Sequence, residues 1–183
     1  AIFMIGFLYA GASFMNLFIP LTHIRYPTQS KNPIVLIKSF KHYVCVLWRD
    51  ALGQISLSVT TLFWGAGATL QLIVIEWGRQ NLGYRLDQAS MLMGIAALGT
   101  VAGAIAAARV PLRASLSVLP VGVAMGLVML TMPYIRDTWA VYSLLLLVGG
   151  LSGFFVVPMN ALLQHRGHVL LFAGHSIAVQ NFN

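Results

Sequence analysis

Uninterrupted apolar stretches of about twenty residues, separated by short polar connections, leave this chain few ways to fold. A helix rises about 1.5 Å per residue, so such a stretch is as long as a hydrocarbon layer about 30 Å thick. A membrane-spanning barrel needs segments of about ten residues alternating in polarity instead. Runs such as 144–148 (Leu-Leu-Leu-Leu-Val) and 102–108 (Ala-Gly-Ala-Ile-Ala-Ala-Ala) do not alternate. Hydrophobic residues make up 58% of the 183 positions and charged residues 8%, too few charges to build an aqueous surface. The expected class is an all-α membrane protein.

The apolar blocks predict spans over 1–21, 51–76, 89–108, 116–134 and 139–163, with a sixth beginning near 169. Between the first two spans lies the longest connection. Within it, over 33–48, Ile34, Ile37, Phe40, Val44 and Leu47 recur at steps of three and four while Lys38, Lys41 and His42 gather on another face. That is the pattern of a helix in the membrane interface, and equally of a linker helix packed on the ends of spans. The implied organisation is a span at 1–22, a connecting loop with an amphipathic helix at 23–50, and a helical bundle from 51 to 183. Both ends of the chain read as cut within longer sequence.

Successive connections lie on opposite sides of the bilayer. The first, third and fifth (23–50, 109–115 and 164–168) carry Arg25, Lys31, Lys38, Lys41, Arg49, Arg109, Arg113 and Arg166, whereas the second and fourth carry Arg79, Arg85 and Arg136. The richer side is therefore expected to be cytoplasmic. The formal charge of +7 is spread over these connections rather than gathered in one stripe, which argues against nucleic-acid binding. A single cysteine, Cys45, rules out an internal disulfide and a cysteine-based metal site. His165 and His168 have a spacing two metal ligands can share, but no carboxylate or cysteine stands near to complete a set, and no cofactor is expected.

Polar side chains inside a span are costly and usually face a bundle interior or a water-filled cavity. The second span is the richest in them. Asp50, Gln54, Ser58, Thr61, Gly65 and Ala68 follow helical steps, and Thr60, Trp64, Gly67 and Gln71 form an adjacent row. This small and polar stripe is expected to line a cavity, although small residues also serve helix packing. Gly99, Gly103 and Ala107, and again Gly149 and Gly153, are expected to be packing faces. Pro158 followed by Asn160 marks a place where a freed backbone carbonyl needs a partner. His175, inside the last span, is a titratable ring able to relay a proton or to sit neutral and hydrogen-bonded. No carboxylate lies deeper than Glu76, so no hydrolytic triad is expected, and any coupling carboxylate lies elsewhere or transport runs downhill.

The stretches Leu62-Phe63-Trp64-Gly65-Ala66-Gly67-Ala68-Thr69-Leu70 and Gly153-Phe154-Phe155-Val156-Val157-Pro158-Met159-Asn160-Ala161-Leu162-Leu163-Gln164 resemble the bacterial lysophospholipid transporters of the major facilitator superfamily. Ala173-Gly174-His175-Ser176-Ile177-Ala178-Val179-Gln180-Asn181 is similar to that family's eleventh span. The resemblance covers the chain from a sixth span to part of an eleventh, mostly the C-terminal half of a major facilitator bundle. It implies a flippase that moves lysophospholipids from the outer to the inner leaflet of the bacterial cytoplasmic membrane, with an acyltransferase as partner or fused domain. Two positions depart from the family pattern. Gln71 stands where members carry a basic residue, and the cytoplasmic loop motif is reduced to Arg109 and Arg113.

On this reading Gln54, Ser58, Thr61, Trp64, Gln71, Asn160 and His175 form the substrate path, with lysophospholipid and membrane lipids as partners. The alternatives are a carrier for another amphipathic substrate such as a drug, an intramembrane lipid-modifying enzyme, for which no nucleophile with its acid and base is found, and an inert fragment.

Overall fold

A computed structural model describes residues 2–18, 32–171 and 178–179. The described residues are helical nearly throughout, as lipid demands. With no water to bond stray backbone groups, a spanning segment has to satisfy its own N–H and C=O groups. The chain divides into two compact units, residues 1–36 and 37–183. The first contains helix α1 (Ile2–Asn16), wholly apolar apart from its last residues. Helix α2 (Pro33–Arg49) begins in the first unit and belongs to the second from Ile37 onward. The second unit continues with α3 (Ala51–Leu82), α4 (Leu86–Ala107), α5 (Leu119–Met129) and α6 (Thr138–Leu170).

Four segments among the described residues are long and apolar enough to cross a membrane: Ala51–Leu82, Leu86–Ala107, Leu112–Tyr134 and Thr138–Leu170. The third is α5 extended by 3-10 turns at Leu112–Val118 and Met132–Tyr134. The four coincide with the second to fifth spans expected from the sequence. Their lengths differ from expectation. Expected to stop at 76, α3 runs to Leu82 because Glu76 accepts from Arg79 at 3.0 Å and from Gln80 at 2.7 Å, so its polar last turns remain helical. It ends where Gly83 takes a left-handed conformation (φ 66°) and the Tyr84 N–H reaches back to the Gly78 carbonyl at 3.3 Å.

The expected connection at 164–168 is likewise helix. α6 continues through Gln164, His165, Arg166, Gly167 and His168 to Leu170. Polar residues end a hydropathy signal, but a helix persists wherever its next backbone bond is favourable, and here Leu170 and Leu171 pack on the cluster of Leu47, Leu57, Leu163 and Val179. The sixth span expected from near 169 falls mostly at 172–177 and 180–183, outside the described residues.

Helices α4 and α6 run side by side in the same direction, as two spans separated by one return crossing must. Their contact is backbone on backbone. A Cβ built on Gly99 would strike the carbonyl of Leu146, and one on Gly103 the carbonyl of Gly150. From the other side, Gly149 abuts the Ala96 carbonyl and Gly153 the Thr100 carbonyl. The glycine steps read from the sequence are packing faces, close enough for Thr100 and Ser152 to exchange a hydrogen bond at 3.2 Å across the pair. Ala107 is buried on the same face of α4.

Around this pair the other helices are placed by their large side chains. α3 lies antiparallel to α6, with Phe63 against Phe155 (ring centroids 6.0 Å apart) near one level and Asp50 against Arg166 at the end. α5 meets α6 where Val118 joins Phe155, Met159 and Leu162, and Gly122 leaves room for the Phe155 ring. At the opposite end of the bundle, Val74, Leu92, Met132, Val141, Leu144 and Leu145 form a second core. Large apolar side chains turned outward, including Leu62, Leu72, Leu98 and Ile105, give the unit a greasy exterior suited to lipid.

Replacing Gly103 by Leu should therefore force α4 and α6 apart. We expect a loss of at least about 1–3 kcal/mol, read as a lower thermal midpoint in detergent and reduced folded yield. Gly94→Ala and Gly126→Ala serve as controls, since a Cβ at either position meets nothing within 4 Å. A Gly103→Leu protein as stable as these controls would contradict the packing described.

Candidate functional site

Helix α3 carries most of the polar residues singled out from the sequence, and its structure separates them into two rows with different surroundings. At about 100° per residue, positions 53, 57, 60, 64, 67, 71, 74 and 78 fall on one face. The two ends of that face are covered: Gly53, Leu57 and Thr60 are buried at one end, and Val74 and Gly78 at the other. Its middle is open among the described residues. Trp64 is 61% exposed, Gly67 and Gln71 are exposed, and a Cβ added at Gly67 would meet nothing within 4 Å. An added Cβ at Gly78, by contrast, lies 2.8 Å from Leu92 Cδ1. The result is a window about two turns high on a face that is otherwise packed.

The second row, Gln54, Ser58 and Thr61, lies on the flank of α3, about a quarter to a third of a turn around the helix from this face. Gln54 and Thr61 are exposed and Ser58 is half-buried. Thr61 turns its hydroxyl back to donate to the Leu57 carbonyl at 2.8 Å, as Thr69 does to Gly65 at 3.1 Å. Such back-bonding satisfies a hydroxyl donor inside lipid and leaves the oxygen able to accept. The amides of Gln54 and Gln71 have no hydrogen bond to any other described residue. Each offers donors and an acceptor to whatever enters the space beside it.

Trp64 stands edge-on to Phe63 at 5.6 Å, and Phe63 in turn meets Phe155 of α6. The indole is thus steered by an aromatic chain anchored on the neighbouring helix. Asn160 sits half-buried on α6. From the antiparallel register it is roughly level with Ser58, next to Met159, whose cluster includes Val59 of α3. α6 passes through Pro158 without a break in its helical assignment. His175 lies outside the described residues. His165 and His168 are exposed on the last turns of α6 rather than in a loop.

Sequence reasoning missed the strongest polar contact of the bundle. Asp50 caps α3 by accepting from the Gly53 N–H at 2.8 Å, and the same carboxylate takes two hydrogen bonds from Arg166: Nε at 2.8 Å and a second, shorter one from Nη2. The fork-to-carboxylate geometry is the strong form of an ion pair, and both side chains are more than three-quarters buried. The Arg166 guanidinium holds the Asp50 carboxyl below its ordinary value, against the opposing effect of burial and with help from Gly53. The signal was available. Asp50 ends the first connection and Arg166 falls in the fifth, both assigned to one side of the bilayer. Next to this pair, Gly53 has no room for a side chain, because an added Cβ would lie 2.6 Å from the Leu47 carbonyl of α2. The elbow between α2 and α3 and the end of α6 are therefore clamped at one point.

Long apolar helices and backbone-close glycine packing together define a multi-pass α-helical membrane protein. Comparison with known proteins narrows the class. The chain is 42% identical over 176 residues, 94% of its own length, to the lysophospholipid transporter LplT of Escherichia coli O1:K1, and matches those of strains O45:K1 (S88) and O81 (ED1a) to the same degree. Over nearly all of its own length the chain is thus similar to bacterial lysophospholipid transporters, and it spans 44% of the length of the relatives it matches. No family model and no solved structure matches it.

The clamp makes a pH-dependent prediction. A carboxyl whose value is lowered on folding adds stability that is complete above its unfolded value, 3.8, and is lost as the pH falls through the folded one. The thermal midpoint in detergent should fall below about pH 4. Asp50→Asn should lower it at neutral pH by an amount equivalent to about 1–3 kcal/mol and flatten this acid limb. A variant with an unchanged midpoint and acid limb would show that the pair adds nothing.

Proposed function

We propose that the open window and flank of α3 form part of the path along which a lysophospholipid crosses the bacterial cytoplasmic membrane, headgroup inside the protein and acyl chain in the bilayer. The observation that carries this reading is the pair of unpartnered glutamine amides, Gln54 and Gln71, on the exposed sides of a helix whose inward face is packed at both ends. A charged headgroup entering hydrocarbon unaided faces a cost on the order of several kcal/mol per charge. Amides, hydroxyl oxygens and an indole N–H along one helix offset that cost by replacing water. The names of the curated relatives supply the substrate class: each is called a lysophospholipid transporter. Transport from the outer to the inner leaflet, with an acyltransferase restoring the second chain there, completes the proposal.

Since Gln71 and Gln54 are neutral, recognition at these two positions rests on hydrogen bonds to the headgroup rather than on a charge pair. Ser58, Thr61 and Asn160 add polar groups at neighbouring levels, and Trp64 offers its ring to the ammonium end of an ethanolamine headgroup. His175 belongs to the same proposed path.

The test is a chimera in which this chain replaces the matching segment of the Escherichia coli transporter, expressed in spheroplasts of a strain lacking its own copy. The expected result is uptake of labelled lysophosphatidylethanolamine by the chimera and at least a tenfold loss with Gln54→Leu and Gln71→Leu combined, at unchanged membrane abundance. Unchanged uptake by the double variant would rule out these side chains as the path. Restored drug efflux without lysolipid uptake would point instead to a carrier for another amphiphile.

A further inference from the structure

Helix α2 presents two opposed faces, and only one is accounted for by the bundle. Phe40, Tyr43, Val44 and Leu47 pack against the start of α3 and the end of α6, with Leu47 wholly buried. Turned about half a circle away is a groove of about 300 Å³ lined by Lys38, Lys41, His42, Cys45, Val46 and Arg49. No acidic residue occurs anywhere in α2, and the three cations and His42 are all exposed. Neither lysine nor Arg49 forms an ion pair or hydrogen bond with another described residue. On the flank between the two faces, Ile37 and Trp48 are exposed, 69% and 49%, beside Lys41.

We infer that this face of α2 is a binding site for the phosphate headgroups of anionic diacyl phospholipids in the cytoplasmic leaflet. Three observations select that occupant. The formal charges lining the groove are all positive, with no carboxylate on α2 to offset them, so it favours an anion. Cations at i, i+3 and i+11 form a row along the helix, suited to several phosphates in a plane rather than to one ion held in a cage. Exposed Ile37 and Trp48 on the flank supply the apolar and interfacial contacts that a lipid surface takes and a free phosphate does not. Each such cation strengthens attachment to an anionic surface about fivefold. The side is the one the arginine and lysine distribution assigns to the cytoplasm, where anionic lipid meets α2.

Binding there also has a route into the bundle. Arg49 adjoins Asp50, and the C-terminal turn of α2 is fixed to α3 and α6 through Leu47, Gly53 and the Asp50–Arg166 pair. Anionic lipid on α2 therefore stations the elbow from which α3 starts.

Cys45 lies within the groove and is exposed, so it carries the reporter. The chain is labelled there with a bimane and reconstituted in phosphatidylcholine vesicles containing a trace of lipid with a nitroxide on the headgroup. Quenching by nitroxide phosphatidylglycerol should exceed that by nitroxide phosphatidylcholine at least threefold. The excess should vanish in Lys38→Gln, Lys41→Gln, Arg49→Gln protein and shrink in high salt, while inorganic phosphate at millimolar concentration should leave it intact. Equal quenching by the two lipids, or an excess that survives the triple substitution, would overturn the inference. Displacement by phosphate alone would overturn it too, in favour of a soluble anion. Lysolipid transport is not measured, so the result stands apart from that of the uptake experiment.

Discussion

The contact between α4 and α6 is the constraint from which the rest of the bundle follows. In lipid there is no hydrophobic drive to bring two apolar helices together, so association rests on how closely their surfaces fit. Four glycines, Gly99, Gly103, Gly149 and Gly153, let backbone meet backbone over two turns. With that pair fixed, α6 becomes the element on which α3 and α5 are both laid, through Phe63 and Leu57 on one side and Val118 and Gly122 on the other. The Asp50–Arg166 clamp then sets the height of α3 along α6. None of these contacts uses the middle of the α3 face, and this is why Trp64, Gly67 and Gln71 remain uncovered within the described bundle.

The two levels of α3 divide its labour. Its ends hold the fold, with small or apolar residues buried against α2, α4 and α6. Its middle has small residues at Gly65, Gly67 and Ala68, flanked by side chains that bring polarity without formal charge. For the path proposed above, polarity without charge suits a substrate that carries its own charges, since a fixed charge in hydrocarbon has to be solvated whether or not the substrate is present. Thr61 and Thr69 bond their hydroxyls back to their own helix, which satisfies these donors within the apolar span.

Much of this was legible in the sequence, and for identifiable reasons. Span positions follow from apolar length alone, and the α4 and α6 packing faces follow from glycines spaced four apart. The ends of the helices were not legible, because Trp77 to Leu82 and Gln164 to His168 read as polar connections while their side-chain pairs and terminal packing keep them helical. The stripe on α3 was visible as one feature. Only the neighbours of α3 separate its window from its packed ends, since Thr60 and Trp64 are one turn apart on the same face yet one is buried and the other is not. Asp50 and Arg166, 116 positions apart, are joined by the antiparallel register of α3 and α6, which no local pattern encodes.

The central claim is that the middle of the α3 inner face is a wet, open surface within the membrane. It is tested most directly by placing single cysteines on that face in a Cys45→Ser background of the chimeric transporter and reacting them with a membrane-impermeant maleimide. Gly67→Cys and Gln71→Cys should label readily and be protected by lysophosphatidylethanolamine, whereas Leu57→Cys and Val74→Cys, one at each packed end, should not label. Resistance at 67 and 71 equal to that at 57 and 74 would mean the window is closed in the membrane, and the account of α3 would be wrong.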